Sequence, residues 1–205
     1  MKKYIVEFIG TFFLVLTVCM AGSKAGEMAP IAIGGALMVM VYAGGYISGG
    51  HYNPAVSFAV WIRGKLSLTE MISYWVVQLA GGVAAALLAQ HVFDYIVVPH
   101  DPIGKTAIIA EAIGTFALAF VVLNVATSQK TSGNSNYGLA IGFTVTVMAY
   151  TLGPVSGGAF NPAVALGNTV FGGFYWNELW MYVIGTLAGA ALAGLLYNYL
   201  KPDTD

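Results

Sequence analysis

Shifted by 108 residues, this chain matches itself. Ile33-Gly34 through Ser48-Gly49-Gly50 falls on Ile141-Gly142 through Ser156-Gly157-Gly158. Asn53-Pro54-Ala55-Val56 falls on Asn161-Pro162-Ala163-Val164, and Leu79-Ala80-Gly81 on Leu187-Ala188-Gly189. Near the start, Glu7 and Ile9-Gly10-Thr11-Phe12 match Glu111 and Ile113-Gly114-Thr115-Phe116 at a shift of 104. The chain therefore reads as a single domain, 1–205, made of two copies of one unit, approximately 1–100 and 106–205. Whatever one half folds into, the other must fold into as well.

Each half contains three long apolar runs. Spans are expected near 4–21, 30–48, 67–90, 106–127, 137–155 and 177–199. A membrane-crossing helix needs roughly 20 apolar residues, and these runs meet that length. The chain is 58% hydrophobic and 8% charged, against about 25% charged in soluble domains. So little charge cannot cover a water-facing surface, and the bilayer is the expected partner. The N-terminal run follows two lysines as a signal peptide would. No small-residue cleavage site and polar mature region follow it, so it reads as a retained span.

Three spans per copy is an odd number, so the second copy enters the membrane from the opposite side. The halves are inverted about an axis in the membrane plane. Such repeats place the pathway at their interface, lined by broken helices. With the N-terminus inside, the inner side carries Lys2, Lys3, Arg63, Lys65, Lys130 and Lys201, and the outer side Lys24 and Lys105. This asymmetry follows the positive-inside rule and predicts cytoplasmic N- and C-termini in the cell membrane. A net charge of −1 offers no basic surface for nucleic acid. The single cysteine, Cys19, excludes an internal disulfide and reads as a small core hydrophobe.

The Asn-Pro-Ala triplets carry the chemistry. Asparagine is a favoured N-cap and proline suits the first helical position, so each triplet starts a helix. The apolar stretches that follow, 56–62 and 164–170, are too short to cross a bilayer at about 1.5 Å per residue. Inverted halves bring two such half-helices together, N-terminus to N-terminus. Their positive dipole ends and the amides of Asn53 and Asn161 then converge near the midplane. Water turns its oxygen towards both donors, whereas cations and protons meet a barrier. The glycine-rich stretches before the triplets suit extended backbone, which is tolerated at depth where it lines a cavity. The carbonyls of Gly49, Gly50, His51 and Tyr52, and of Gly157, Gly158, Ala159 and Phe160, would form a ladder of acceptors.

Ser48-Gly-Gly-His-Tyr-Asn-Pro-Ala-Val56, Ser156-Gly-Gly-Ala-Phe-Asn-Pro-Ala-Val164 and the Glu-x-x-Gly-Thr starts resemble the aquaporin, or major intrinsic protein, family. The resemblance covers nearly the whole chain. It implies an all-α membrane protein: a right-handed bundle of six transmembrane helices with two re-entrant half-helices. It also implies one passive pore per subunit, a homotetramer, and no enzymatic activity or cofactor. It assigns Pro54, Ala55, Pro162 and Ala163, with the asparagines, to the pore midplane. Glu7 and Glu111, which otherwise read as functional intramembrane carboxylates, become braces for the re-entrant loops.

The chain departs from the family directly after the second triplet. Most members carry an arginine there, in an outer filter that also holds an aromatic residue and often a histidine; here the residue is Val164. Gapless counting places the other filter positions at Ile33, Ala149 and Gly158, with Met148 or Tyr150 as one-residue alternatives to Ala149. The resulting filter would be apolar and wide. Water and small neutral solutes, among them glycerol, urea, ammonia, hydrogen peroxide and protonated metalloid acids, are the candidate cargo. The aspartate that glycerol-selecting members carry soon after this triplet is also missing, because Ala165 and Leu166 follow Val164.

The remaining polar residues read as structural. His51 is either a pH sensor at the cytosolic mouth or a loop-packing residue, with the second favoured. His91, Asp94, His100 and Asp101 in the longest outer loop match no strong metal-ligand spacing and read as a solvated loop. Gly185 and Gly189 form a small-residue pair for close helix packing. Trp61, Trp75, Trp176 and Trp180 read as interfacial anchors. An ion-coupled transporter and a membrane protein with a closed pore are the alternatives. The first needs a titratable group beside the pathway, and none is expected at the triplets.

Overall fold

The computed structural model describes residues 1–93, 97 and 99–200; Asp94 and Lys201 lie outside them. All regular structure among the described residues is helical. The elements are α1 (Lys2–Lys24), α2 (Ala29–Ser48), α3 (Pro54–Ile62), α4 (Leu68–His91), α5 (Thr106–Val122), α6 (Tyr137–Ser156), α7 (Pro162–Phe171) and α8 (Leu179–Leu200). Six of these helices, extended by short turns, are long and apolar enough to span a membrane. The expected spans agree with them within two or three residues. The main difference is at the end of α5, where Leu123–Thr127 forms a turn of π-helix. The half-helices α3 and α7 have nine and ten residues. At about 1.5 Å per residue each covers roughly half of a 30 Å hydrocarbon core.

Glycine sets the spacing between spans. A Cβ on Gly81 would lie 2.6 Å from the Phe8 carbonyl oxygen, so α4 meets α1 backbone to backbone. Gly185 does the same for α8 against α5, 2.7 Å from the Ile108 oxygen, and Gly189 faces Ala112. The expected packing pair is therefore seated on a neighbouring helix. Between the halves, α2 crosses α6 where Gly34 and Gly142 oppose each other.

The half-helices are held by the opposite half as well as by their own. Helix α3 packs on α4 but also on α8 and α5, and α7 packs on α8 but also on α4 and α1. The chain thus interlocks its two copies around a shared core. Exposed large side chains such as Ile5, Val76, Ile109, Phe143 and Leu195 lie on the outside of the bundle, as expected where lipid replaces water. The start of α4 is fixed by a capping box between Ser67 and Glu70, and Glu70 also pairs with Lys3 at the start of α1.

Trp75 differs from expectation. Trp176 and Trp180 are exposed near the start of the last span, but the Trp75 indole donates 2.8 Å to the Pro54 carbonyl. It lies seven residues into α4, about 10 Å along the helix, and ties α4 to the first turn of α3. Interface composition could not distinguish this role, because an indole N–H at depth also needs a partner.

A leucine at Gly189 would have no space against α5. Gly189→Leu is expected to abolish the monodisperse folded peak in detergent size-exclusion chromatography. Gly35→Leu, at a site with nothing within 4 Å, is expected to leave it intact.

Candidate functional site

The centre of the molecule is built twice by the same local chemistry. Helices α2 and α6 end on Gly49 and Gly157, with φ of 92° and 90°, and the next glycines, Gly50 and Gly158, are also left-handed. Only glycine adopts two such residues in succession without strain. The chain then reaches Tyr52 and Phe160, each at φ 48°. A bulky residue in this region costs on the order of 1–3 kcal/mol and persists only where its surroundings over-determine it.

Two buried carboxylates supply much of that determination. Glu7 Oε1 accepts from the Ser48 hydroxyl (2.7 Å) and the His51 amide (2.9 Å). Its Oε2 accepts from the Tyr52 amide (2.7 Å) and Gln78 Nε2 (2.8 Å). Glu111 repeats the pattern with Ser156 (2.7 Å), the Ala159 amide (3.0 Å) and the Phe160 amide (2.6 Å). The Tyr52 and Phe160 rings fill the space that Gly10 and Gly114 leave empty. Tyr74 and Tyr182 donate to the carbonyls of Ser48 and Ser156, both at 2.6 Å.

The asparagines cap and cross-link. Asn53 Oδ1 accepts from the amides of Ala55 (2.9 Å) and Val56 (3.4 Å), and Asn161 does the same with Ala163 and Val164 at equal distances. Asn53 Nδ2 donates 2.9 Å to the Phe160 carbonyl, and Asn161 Nδ2 donates 2.9 Å to the Tyr52 carbonyl. Each half thus binds the strained residue of the other. A primary amide has two N–H donors, so each asparagine keeps one for another acceptor. The Tyr52 and Phe160 carbonyls, expected as free rungs of an acceptor ladder, each spend one lone pair on this lock.

Cavities follow the line between the halves. The central one, about 20 Å³, is lined by both asparagines, Gly50, His51, Gly158, Ala159, Phe160 and an apolar wall including Leu37, Val56, Ile141 and Val145. A water needs at least about 10–15 Å³, so there is room for roughly one. On the side of the α2 and α6 copies where α6 ends, a vestibule of about 490 Å³ reaches Ile33, Ala149, Gly157, Gly158 and Val164. On the opposite side, a mouth of about 280 Å³ is bordered by Gly49, His51 and Lys65.

Of the four expected filter residues, Ile33, Gly158 and Val164 border both the central cavity and the vestibule, and Ala149 borders the vestibule alone. Tyr150, a one-residue alternative to Ala149, is exposed on the outside and donates to the Glu27 carbonyl. His51 packs within the loop, as the favoured of its two readings has it. Its Nδ1 lies 3.0 Å from the Ser57 hydroxyl, and its ring borders both the central cavity and the mouth.

His100, read from the sequence as part of a solvated loop, lies at the vestibule. Its amide donates 2.9 Å to the Gly173 carbonyl, and the Ile103 amide donates 2.9 Å to that of Val155. These bonds bring the loop back over the vestibule, which His100 and Asp101 border. No local pattern signals this, because both partners lie more than 50 residues away. Asp94 lies outside the described residues, and no metal-binding cluster is present among those described.

The model of the family described as Major intrinsic protein matches residues 1–197. Probable aquaporin TIP2-2 of Oryza sativa subsp. japonica is 34% identical, over 98% of this chain and 87% of its own length. Glycerol uptake facilitator protein-like 6 of Lactiplantibacillus plantarum is also 34% identical, over 94% and 95%. Among solved structures, the aquaglyceroporin from Plasmodium falciparum superposes with a TM-score of 0.83 at 21% identity, covering 98% of this chain and 96% of that one.

Replacing either carboxylate by its amide sets an NH2 group against backbone N–H donors. Each donor left buried and unsatisfied costs about 1–3 kcal/mol. Glu7→Gln and Glu111→Gln are each expected to lower the melting temperature in detergent and to reduce water flux in proteoliposomes. Wild-type values for both quantities would show that the carboxylates do not hold the loops.

Proposed function

The chain belongs to the major intrinsic protein family, and we propose that it is a channel with a wide, apolar outer filter. Passive passage of water and small solutes follows from the family membership, and no enzymatic step is involved. The finer reading concerns what passes. Ile33, Ala149, Gly158 and Val164 form the filter, and none of the four carries a charge or a ring. The observation that carries this reading is that the vestibule extends inward as far as all four residues. Three of them, Ile33, Gly158 and Val164, also line the small central cavity beside the two asparagines.

Exclusion of ions rests on the asparagine end of that cavity. The N-terminal ends of α3 and α7 carry partial positive charge, and the free amide protons of Asn53 and Asn161 point the same way. A cation shed of its hydration finds an apolar wall and two positive poles. A neutral solute with a hydroxyl or carbonyl finds donors instead. Gly49, Gly50, His51, Gly157 and Ala159 contribute backbone acceptors along this path, while Tyr52 and Phe160 each keep one lone pair beside the one spent on the lock. Glycerol, urea, ammonia, hydrogen peroxide and protonated metalloid acids fit this chemistry. The names of the relatives divide between aquaporins and a glycerol uptake facilitator, so they favour neither end of that range.

The whole of 1–205 acts as one channel unit, in a homotetramer, in the cell membrane with both termini in the cytoplasm. The supporting observation for orientation is the excess of lysine and arginine in the segments on the termini side. On that assignment the vestibule beneath His100 is extracellular.

Stopped-flow measurements on proteoliposomes test the filter. The wild-type channel is expected to conduct glycerol or urea as well as water. Val164→Arg is expected to lower the solute-to-water permeability ratio about tenfold or more, in line with a narrowed and charged constriction. A wild-type channel that passes water alone, or an unchanged ratio in the variant, would reject the wide filter.

A further inference from the structure

We infer that His100 is a solute-contacting specificity residue of the outer vestibule, standing in for the histidine that the second repeat lacks. The inference rests on the reading of Ile33, Ala149, Gly158 and Val164 as the filter. The repeats differ at the residue before the aromatic: His51 in the first copy, Ala159 in the second. In the first copy the His51 ring covers Gly49, and a Cβ there would lie 3.0 Å from Nε2 and 3.2 Å from Cδ2. In the second copy the equivalent glycine is Gly157. A Cβ on it would lie 3.2 Å from Cδ2 of His100, which arrives from a different segment of the chain. An imidazole therefore rests on the cap glycine at both ends of the pathway.

The placement is built rather than incidental. The loop backbone is tied to Gly173 and Val155. Phe174, the other neighbour of Gly157, is stacked on Tyr182 with ring centroids 4.3 Å apart. Together they fix where the His100 ring sits. Its chemistry also differs from that of His51. His51 is engaged with Ser57, whereas the position equivalent to Ser57 is Ala165, which has no hydroxyl to offer. His100 Nε2 is buried and has no hydrogen-bond partner among the described residues. A buried polar atom without a partner is unfavourable, so the ring gains by turning Nε2 towards a water or solute hydroxyl in the vestibule that His100 borders. The filter residues themselves present no polar side chain. His100 supplies one, exchanging a hydrogen bond for part of the solute's lost hydration at the entrance to an apolar constriction. The recognised class is small neutral polyols and amides.

Stopped-flow permeabilities of wild type, His100→Ala, His100→Gln and Val164→Arg in proteoliposomes test this, with glycerol and urea each expressed relative to water. Taking that ratio removes differences in the amount of active protein. His100→Ala is expected to lower the ratio about fivefold, the worth of one neutral hydrogen bond, and His100→Gln to keep it near the wild-type value. An unchanged ratio in His100→Ala, with Val164→Arg still lowering it, would overturn the role of His100 and leave the filter standing. A raised ratio would overturn it too, marking the ring as an obstruction, as would a fall in His100→Gln equal to that in His100→Ala. No change in any variant would reject the filter and the histidine together.

Discussion

Two buried carboxylates each hold a strained stretch of backbone, and the rest of the molecule is arranged around those holds. Glu7 and Glu111 are fully buried, and each binds consecutive amides that lead into a left-handed aromatic residue. Without them the chain between α2 and α3, or between α6 and α7, would carry unpaired N–H groups in a region without bulk water. With them, the loop turns sharply enough for a short helix to begin at mid-depth. Such irregular backbone is tolerated in a membrane only when buried in protein or lining a cavity, and here it does both.

The half-helices depend on this turn, and the halves depend on the half-helices. Pro54 and Pro162 begin their helices without leaving an extra donor unpaired, and the asparagine caps accept from the next amides. The same asparagines reach across to the carbonyls of Phe160 and Tyr52. One side chain thus caps its own helix, supports the other half's strained residue and keeps a proton for the cavity. The repeat is less symmetrical at its edges. Gln78 adds a bond to Glu7, while the corresponding Thr186 turns to its own helix at the Tyr182 carbonyl. Trp75 ties down α3, while its counterpart Val183 has no polar group to do the same for α7.

Much of this was legible in the chain because its signals are local or periodic. Apolar run lengths give the six spans, and the proline and asparagine positions give the starts of α3 and α7. The repeat makes each of these observations count twice. Contacts between distant segments were not legible in the same way. The reciprocal asparagine bonds join residues more than 100 apart, and nothing in Asn-Pro-Ala specifies the partner carbonyl. The depth of Trp75 depends on where α3 ends up against α4. His100 reads as an ordinary loop residue until Gly173 and Val155 draw its backbone over the vestibule. In each case composition is neutral and the tertiary contact decides.

The crossed asparagine bonds also bear on how the molecule moves. A carrier of inverted halves works by rocking one half against the other, opening the centre alternately to each side. Here the centre is where the halves are stitched, by two hydrogen bonds that also support strained backbone. Rocking would break both bonds at once and release the strained Tyr52 and Phe160 from the partners that support them. Passive passage, which the family implies, thus suits a centre that is stitched against rocking. What a solute meets there is a set of fixed hydrogen-bonding groups rather than a moving domain.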